Sequence, residues 1–384
     1  MIESAQQATN DHRHRRSARV PAGRAVGSPR ARAGPGVACP MPTPPRVLRR
    51  LGSVSLSVAN RAETGLRDRL SARARKQGWF PALLPFSGYA SAGTARILAR
   101  VVLAPAAVEP SARRGLRAWH RLLTLESPGV PVRIEFAGAS ATGTSDGAGI
   151  VDARFAVPDG LEPGPAEALL HVAGRAPVPV TVHVVTSEPA RGVVCDVDDT
   201  VWVTGISHPA RAAWRTFSTT SATRRSVPGM AELLQEAIAG QDGTAVVYVS
   251  NGPWNLAGVV SRFLARRGFP AGPVLMTDWG TSPRRWFRDG EEHKRDCLAR
   301  LREDLPHLSW VLVGDDGEHD PQLYSDFARR HPDAVTAIAL RRVAPAHPGA
   351  APDVDEVAGV PVVRGVDGDA LRPLLQEALG RSRR

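Results

Sequence analysis

Cysteine is scarce in this 384-residue chain, which has only Cys39, Cys195 and Cys297. Their odd number and wide spacing match neither a disulfide framework nor a zinc site, and point to a reducing compartment. Lysine is scarcer still: of 49 basic residues only Lys76 and Lys294 are lysine, so arginine serves wherever a generic positive charge will do. No run approaches the ~18 consecutive apolar residues of a spanning helix, and the N-terminus lacks the ~7–15-residue apolar core of a signal peptide. Arg15-Arg16 is therefore not read as an export signal, and the expectation is a cytoplasmic protein.

The net charge of +11 is unevenly spread. Residues 1–121 hold 22 basic against 5 acidic residues, a net +17, and the remainder holds 27 against 33, a net −6. A basic front end can meet anionic membrane or nucleic acid. It can equally be a solvated tail that reflects compositional bias. Residues 1–45, rich in Arg, Ala, Pro, Gly and Ser without periodicity, cannot bury enough apolar surface to offset the entropy of ordering. They are expected to be disordered, and Met41 opens a more ordinary N-terminal sequence, MPTPPRVLRRLGS, so the first 40 residues need not belong to the native protein. Residues 46–90 are assigned as a basic amphipathic helical segment on Val54, Val58, Leu66 and Leu70, packed on the protein or lying on a membrane surface.

Two periodicities divide the rest. Residues 91–189 contain short β-like runs (RILARVVL, PVRIEFAG, GIVDARFAV, ALLHVAG, PVTVHVVT) separated by turn residues, which predict a small β-sandwich or barrel. Residues 190–384 alternate apolar runs (VVCDV, TAVVYVS, SWVLVGD, AVTAIAL) with helix-like segments, the pattern of an α/β fold with a mainly parallel sheet. A ligand of such a sheet lies at the carboxyl ends of its strands.

Polar residues collect at that edge. Asp196 and Asp198 in DVDDT end the first run, Ser250 and Asn251 the second, and Asp315 and Asp316 in GDDGEHD the third. Two carboxylates two residues apart at a strand end can face one cavity, one as nucleophile and magnesium ligand, the other as general acid/base. Oxygen ligands of this kind suit Mg²⁺, which takes one or two carboxylates plus substrate phosphate. Asp315 is the favoured direct ligand. Asp320 is a site residue or a helix cap, and both readings stand. A lone lysine in an arginine-rich chain, Lys294, suggests a need for a compact ammonium that the planar guanidinium does not replace.

DVDDT, Ser250, Lys294 and Gly314-Asp315 resemble the four ordered motifs of the haloacid dehalogenase superfamily. The longer run DVDDTVWVTGI, VPGMAEL, YVSNGPWNL, GFPAGPVLMTDWG, HK and VLVGDDGEHDPQLYSDFA is similar to the actin-patch-type phosphatidate phosphatase family, and FSGYASAGTARILARVVL to the front half of its bacterial members. The resemblance implies a parallel Rossmannoid sheet with helices on both faces and a minimal cap, the flap being residues 201–227. It implies Asp196 as nucleophile, Asp198 as acid/base, Thr200, Ser250 and Asn251 at the phosphate, and Lys294 neutralising charge. Magnesium is implied at Asp196, Asp198 through its backbone carbonyl, and Asp315; Asp316 and Asp320 are further candidate ligands. Where this chain has Gly252 and Asp316, the family commonly carries serine.

The implied activity is a magnesium-dependent phosphomonoesterase acting on phosphatidate or a related lipid phosphate, with peripheral contact to anionic membrane. Trp202, Trp214 and Trp286 are considered as an amphipathic rim for a lipid interface, against ordinary packing. His208, His293 and His319 have no zinc spacing. The competing readings are a phosphatase for a soluble ester and a catalytically weak phosphate-site binding module. Nucleic acid is disfavoured because the basic tail lacks interleaved aromatics, and no protein partner is inferable.

Overall fold

In the computed structural model, the structure describes residues 69–105, 125–203, 225–277, 283–317, 319–343 and 353–381. They belong to one compact unit, Leu56–Arg384. The expected disordered tail, Trp214, His208 and most of the expected flap lie outside the described residues. Of the segment 46–90 assigned as amphipathic helix, residues 69–90 are described, and of these 69–76 are helical.

The chain is mixed α/β with two mixed sheets. The first is nine-stranded: β1 Phe80–Pro85, β2 Gly88–Ser91, β3 Thr94–Ala104, β4 Leu125–Glu126, β5 Pro131–Phe136, β6 Ala139–Thr144, β7 Ile150–Ala156, β8 Gly164–His171 and β9 Val178–Val184. In this sheet β5 and β9 alternate buried and exposed positions, because one face packs on a core and the other meets water, whereas β2 and β3 are buried on both faces. The 11-residue β3 organises it, pairing β1 and β2 along its length as well as β4 and β7. A core of Leu83, Ile97, Val101, Ile134, Leu170 and Val182 packs against this hydrogen-bonded sheet.

This sheet starts earlier than the sequence pattern suggests. β1 and β2 lie inside the stretch 46–90 assigned as helical. Pro81 and Pro85 suppress a strand signal, but β1 pairs only with β3 in the strand order, and an edge strand tolerates proline.

The second sheet is built from β10 Ala190–Asp196, β11 Val246–Pro253, β12 Val274–Thr277, β13 Leu308–Asp315, β14 Val335–Arg341, β15 Val354–Val357 and β16 Val360–Gly365. Between these strands run α1 Met230–Ala237, α2 Ala257–Arg266, α3 Pro283–Asp304 and α4 Asp320–Arg330, and α5 Gly368–Arg381 comes after β16. The order is β12-β11-β10-β13-β14-β16-β15, parallel throughout except for the final β15–β16 pair. β10 and β13 are near-continuous apolar runs because helices cover a parallel sheet and leave little of either strand in contact with water. β10 lies inside the sheet, with β11 and β13 on its two sides, and in such a topology a ligand binds at the carboxyl end of the strand.

The two sheets share apolar packing. Phe86, Tyr89, Leu98 and Ile150 of the first join the core of the second. The Tyr89 hydroxyl donates to Asp304 Oδ2 at 2.6 Å, Arg154 pairs with Asp304 Oδ1 at 2.8 Å, and Arg96 bridges Asp304 and Asp152. Burial pushes the Tyr89 phenol up, so it remains a donor at any physiological pH.

Truncation should hurt in proportion to burial. Leu312→Ala, in fully buried β13, is expected to cost about 2–5 kcal/mol, whereas Val354→Ala, on the exposed β15, stays within about 0.5 kcal/mol. Urea unfolding reads both, as a lowered midpoint at unchanged slope for the first and an unmoved midpoint for the second.

Candidate active site

β10 delivers Asp196 to the sheet's carboxyl edge, and β13 delivers Asp315 beside it. The chain then turns through Asp316 and Gly317 and enters α4 at Asp320. Asp196, Asp315 and Asp320 are all buried, with one carboxylate oxygen each within 4.8 Å of the others. Lys294, buried on α3, reaches into this group: its Nζ lies 2.7 Å from Asp196 Oδ1 and 2.6 Å from Asp320 Oδ1.

Asp320 is therefore not a cap. It is the first residue of α4, the helix shows no side-chain cap, and its two carboxylate oxygens face Lys294 and the Asp315 N–H, the latter at 3.4 Å. The approach requires glycine at 314: a Cβ there would lie 2.4 Å from Asp320 Oδ2 and 2.8 Å from Tyr324 Cε2.

Asp198 sits apart from that cluster and is half-buried. Two donors hold its carboxylate, Ser250 Oγ at 2.9 Å and the Trp202 indole N–H at 3.1 Å. Ser250 Oγ in turn accepts the Gly252 N–H at 3.0 Å. Between Asp198 and Trp202 the backbone turns back on itself, with Asp199 at φ 52° and its carbonyl accepting a hydrogen bond from the Arg341 guanidinium. That turn buries Thr200, whose Oγ1 has no hydrogen-bond partner among the described residues. Asn251 Oδ1 is in the same condition.

One candidate site residue stands away from the cluster, and two side readings resolve. Asp316, a candidate metal ligand, is exposed and outside the carboxylate cluster; its Oδ1 accepts the Val343 N–H at 2.8 Å, because the turn after β13 sends alternate residues in opposite directions. Trp202 is no surface rim. It is fully buried, edge-on to Phe263 at 5.1 Å, and its polar atom serves Asp198. The sequence signal for this is the spacing of the two residues across the turn, masked when tryptophan is read as an interface residue. His293, which has no zinc spacing, is outside the cluster: burial holds its imidazole neutral, with pKa lowered to about 4, beside Cys297 Sγ at 3.7 Å. His319 is exposed at the start of α4.

Cys195, adjoining Asp196, is inert. Burial, with the Asp196 charge, pushes its thiol far up, and its Sγ lies against the Asp196 carbonyl.

The donor set fits a hard divalent cation: three buried carboxylates converge and one ammonium serves two of them, so their mutual repulsion favours a further positive charge.

Residues 191–342 match the family model described as Phosphatidate phosphatase APP1, catalytic domain. The chain is 26% identical over 151 residues to Phosphatidate phosphatase APP1 of Saccharomyces cerevisiae, covering 39% of this chain and 25% of the yeast protein. It is 24% identical over 152 residues to an uncharacterized protein of Schizosaccharomyces pombe, again covering 39% and 25%. The matched region thus spans about a quarter of the length of these curated relatives. Among solved structures, a chain of the Pnkp1/Rnl/Hen1 complex is similar over 42% of this chain and 48% of its own, at 21% identity and a TM-score of 0.30, too low to bear on the fold. The family and sequence matches support a phosphatase catalytic domain within residues 191–342.

The neutral His293 has a measurable consequence. Its folded pKa lies below the ordinary 6.5, so the unfolded chain binds a proton that the folded one refuses. Its contribution to stability is intact above pH 6.5 and is lost as the pH falls toward 4. An NMR titration should find the His293 ring flat from pH 8 to 6 with a midpoint near 4; a midpoint near 6.5 would place it in solvent.

Proposed function

We propose that this protein is a magnesium-dependent phosphomonoesterase that transfers the phosphoryl group to Asp196, and that its substrate is phosphatidate or a related lipid phosphate. The observation that carries the reading is Lys294 Nζ held between Asp196 and Asp320 at the buried end of the central strand, with Asp315 completing the group. The family description of residues 191–342 supports the lipid substrate. We read the seven-stranded sheet, with β10 flanked by β11 and β13, as the Rossmannoid sheet of the haloacid dehalogenase superfamily.

An oxygen of Asp196 attacks phosphorus in line with the leaving oxygen. The P–O bond to the alcohol breaks as the Asp196–phosphorus bond forms, and Asp198 gives its proton to the departing alkoxide. Asp198, now a carboxylate, takes a proton from water, whose oxygen attacks the same phosphorus. The Asp196–phosphorus bond breaks, inorganic phosphate leaves and both aspartates return to their starting states. Asp198 can do both jobs only if its carboxyl group is held in place, the task of Ser250 and Trp202. Lys294 orients Asp196 and neutralises charge on the transferring group. Thr200 Oγ1 and Asn251 Oδ1, buried without protein partners among the described residues, are groups whose desolvation a bound phosphate and its water would offset. Asp196 and Asp315, with the Asp198 carbonyl, would hold magnesium, which would supply electrophilic stabilisation of the phosphoryl oxygens.

No helix among the described residues is long and apolar enough to cross a membrane, so a lipid substrate would be met at a membrane surface. Exposed Val203 and Val343, one directly after Trp202 and the other bonded to Asp316, lie beside the site's loops and suit such contact.

Assays with phosphatidate vesicles and with soluble aryl and sugar phosphates, each with magnesium or with chelator, test both levels of the reading. Phosphate release from the vesicles should require magnesium and fall about 10³-fold or more in Asp196→Asn. Lys294→Arg should fall about 10²-fold, because a planar fork cannot replace a compact point charge between two carboxylates. Release from soluble esters alone would remove the lipid substrate, and release undiminished in Asp196→Asn would remove the nucleophile.

A further inference from the structure

The first sheet carries no cluster of catalytic type among its described residues, yet it touches the active-site loop at two points. β11 pairs regularly with β12 as far as Val249–Leu275, and pairing resumes only at Pro253–Thr277. Three residues of β11, Ser250, Asn251 and Gly252, thus oppose one of β12. Such a bulge re-aims side chains but gives up the ladder bonds that would fix them. The Ser250 hydroxyl holds Asp198, and Asn251 Oδ1 has no hydrogen-bond partner among the described residues. Beyond the Asp198 and Gly252 contacts of Ser250, the loop is anchored by the next element in the chain, the turn Trp254–Leu256 that leads into α2.

That turn is gripped from the first sheet. Arg100, buried in β3, donates from Nη1 to Asn255 Oδ1 at 2.6 Å. Its other donors are anchored on its own sheet, Nη2 to Glu126 Oε1 at 3.0 Å and Nε to the Ala148 carbonyl at 3.0 Å. A guanidinium bound on three sides has no freedom to track a moving partner, a role lysine could not fill. Beside it, the Phe86 ring stacks on Trp254 with centroids 4.6 Å apart and planes inclined by 22°.

We propose that the first sheet is part of the catalytic apparatus, with Arg100 and Phe86 as positioning residues that hold the Ser250–Gly252 loop at the phosphate through Asn255 and Trp254. The proposal rests on the phosphatase reading of the site. Neither residue touches the reacting atoms. Their effect is on where Asn251 and Ser250 stand, and small displacements of positioned groups cost large factors in rate.

The test is a double-mutant cycle on the full chain with magnesium, assayed on phosphatidate vesicles and a soluble aryl phosphate. Arg100→Ala and Asn255→Ala should each lower kcat about 10-fold or more, per folded molecule, with inorganic phosphate becoming a weaker inhibitor. The double variant should be no worse than about twofold below the poorer single, since both remove the same contact. Asn255 is only half-buried, so its truncation stays informative where Arg100→Ala fails to fold. A purely structural link predicts a lowered melting temperature with kcat and phosphate inhibition unchanged in Asn255→Ala, and that result would overturn the proposal. So would losses that multiply in the double variant. A wild-type protein inert on both substrates would instead remove the phosphatase reading beneath it.

Discussion

Three buried carboxylates around one ammonium are the constraint on which the rest of the molecule depends. Asp196, Asp315 and Asp320 come from β10, β13 and the start of α4, and Lys294 from α3. None can be moved into water, and burying like charges is costly unless opposite charge lies within reach. The fold meets this by bringing four separate elements to one edge. Gly314 is part of the cost, since its missing Cβ is the space that the Asp320 carboxylate occupies. The scarcity of lysine gains a physical reason here: a compact charge must fit between Asp196 Oδ1 and Asp320 Oδ1, and a guanidinium is too broad.

A second layer controls the groups around that cluster. Asp198 is fixed by Ser250 and Trp202, Ser250 by the Gly252 N–H, and the Asp199 carbonyl by Arg341. The Ser250 and Arg341 links reach the turn from β11 and β14 while the Trp202 and Gly252 links are local, so the irregular backbone at the strand ends is braced both from within and from neighbouring strands. The stacking of Phe86 on Trp254 and the reach of Arg100 to Asn255 extend the bracing into the first sheet. The shared core and the Tyr89–Asp304–Arg96 network make that sheet a firm support.

Much of this is legible in the sequence where chemistry and periodicity agree. The runs VVCD and SWVLVGD ending in aspartate announce buried parallel strands with polar groups at one edge, and Asp196, Asp315 and Lys294 are found together there. Residues that owe their place to a turn are harder to read. Asp315 and Asp316 are neighbours in sequence, yet one enters the cluster and the other turns to Val343, a choice made by backbone direction and not by residue type. Trp202 reads as either packed or interfacial because tryptophan is amphipathic, and the choice is made by an indole N–H partner four residues upstream. β1 is hidden by its prolines, and β12 by having only four residues. The support given by Arg100 leaves no trace in the sequence at all, since it joins residues 155 positions apart.

The central claim is that the carboxylate cluster is completed by a divalent cation. Calorimetric titration of the purified protein with Mg²⁺, beside an Asp315→Asn variant, tests it most directly. One binding event per chain is expected in the unaltered protein and its loss in the variant, with both proteins folded. No binding in the unaltered protein, or equal binding in the two, would contradict the claim.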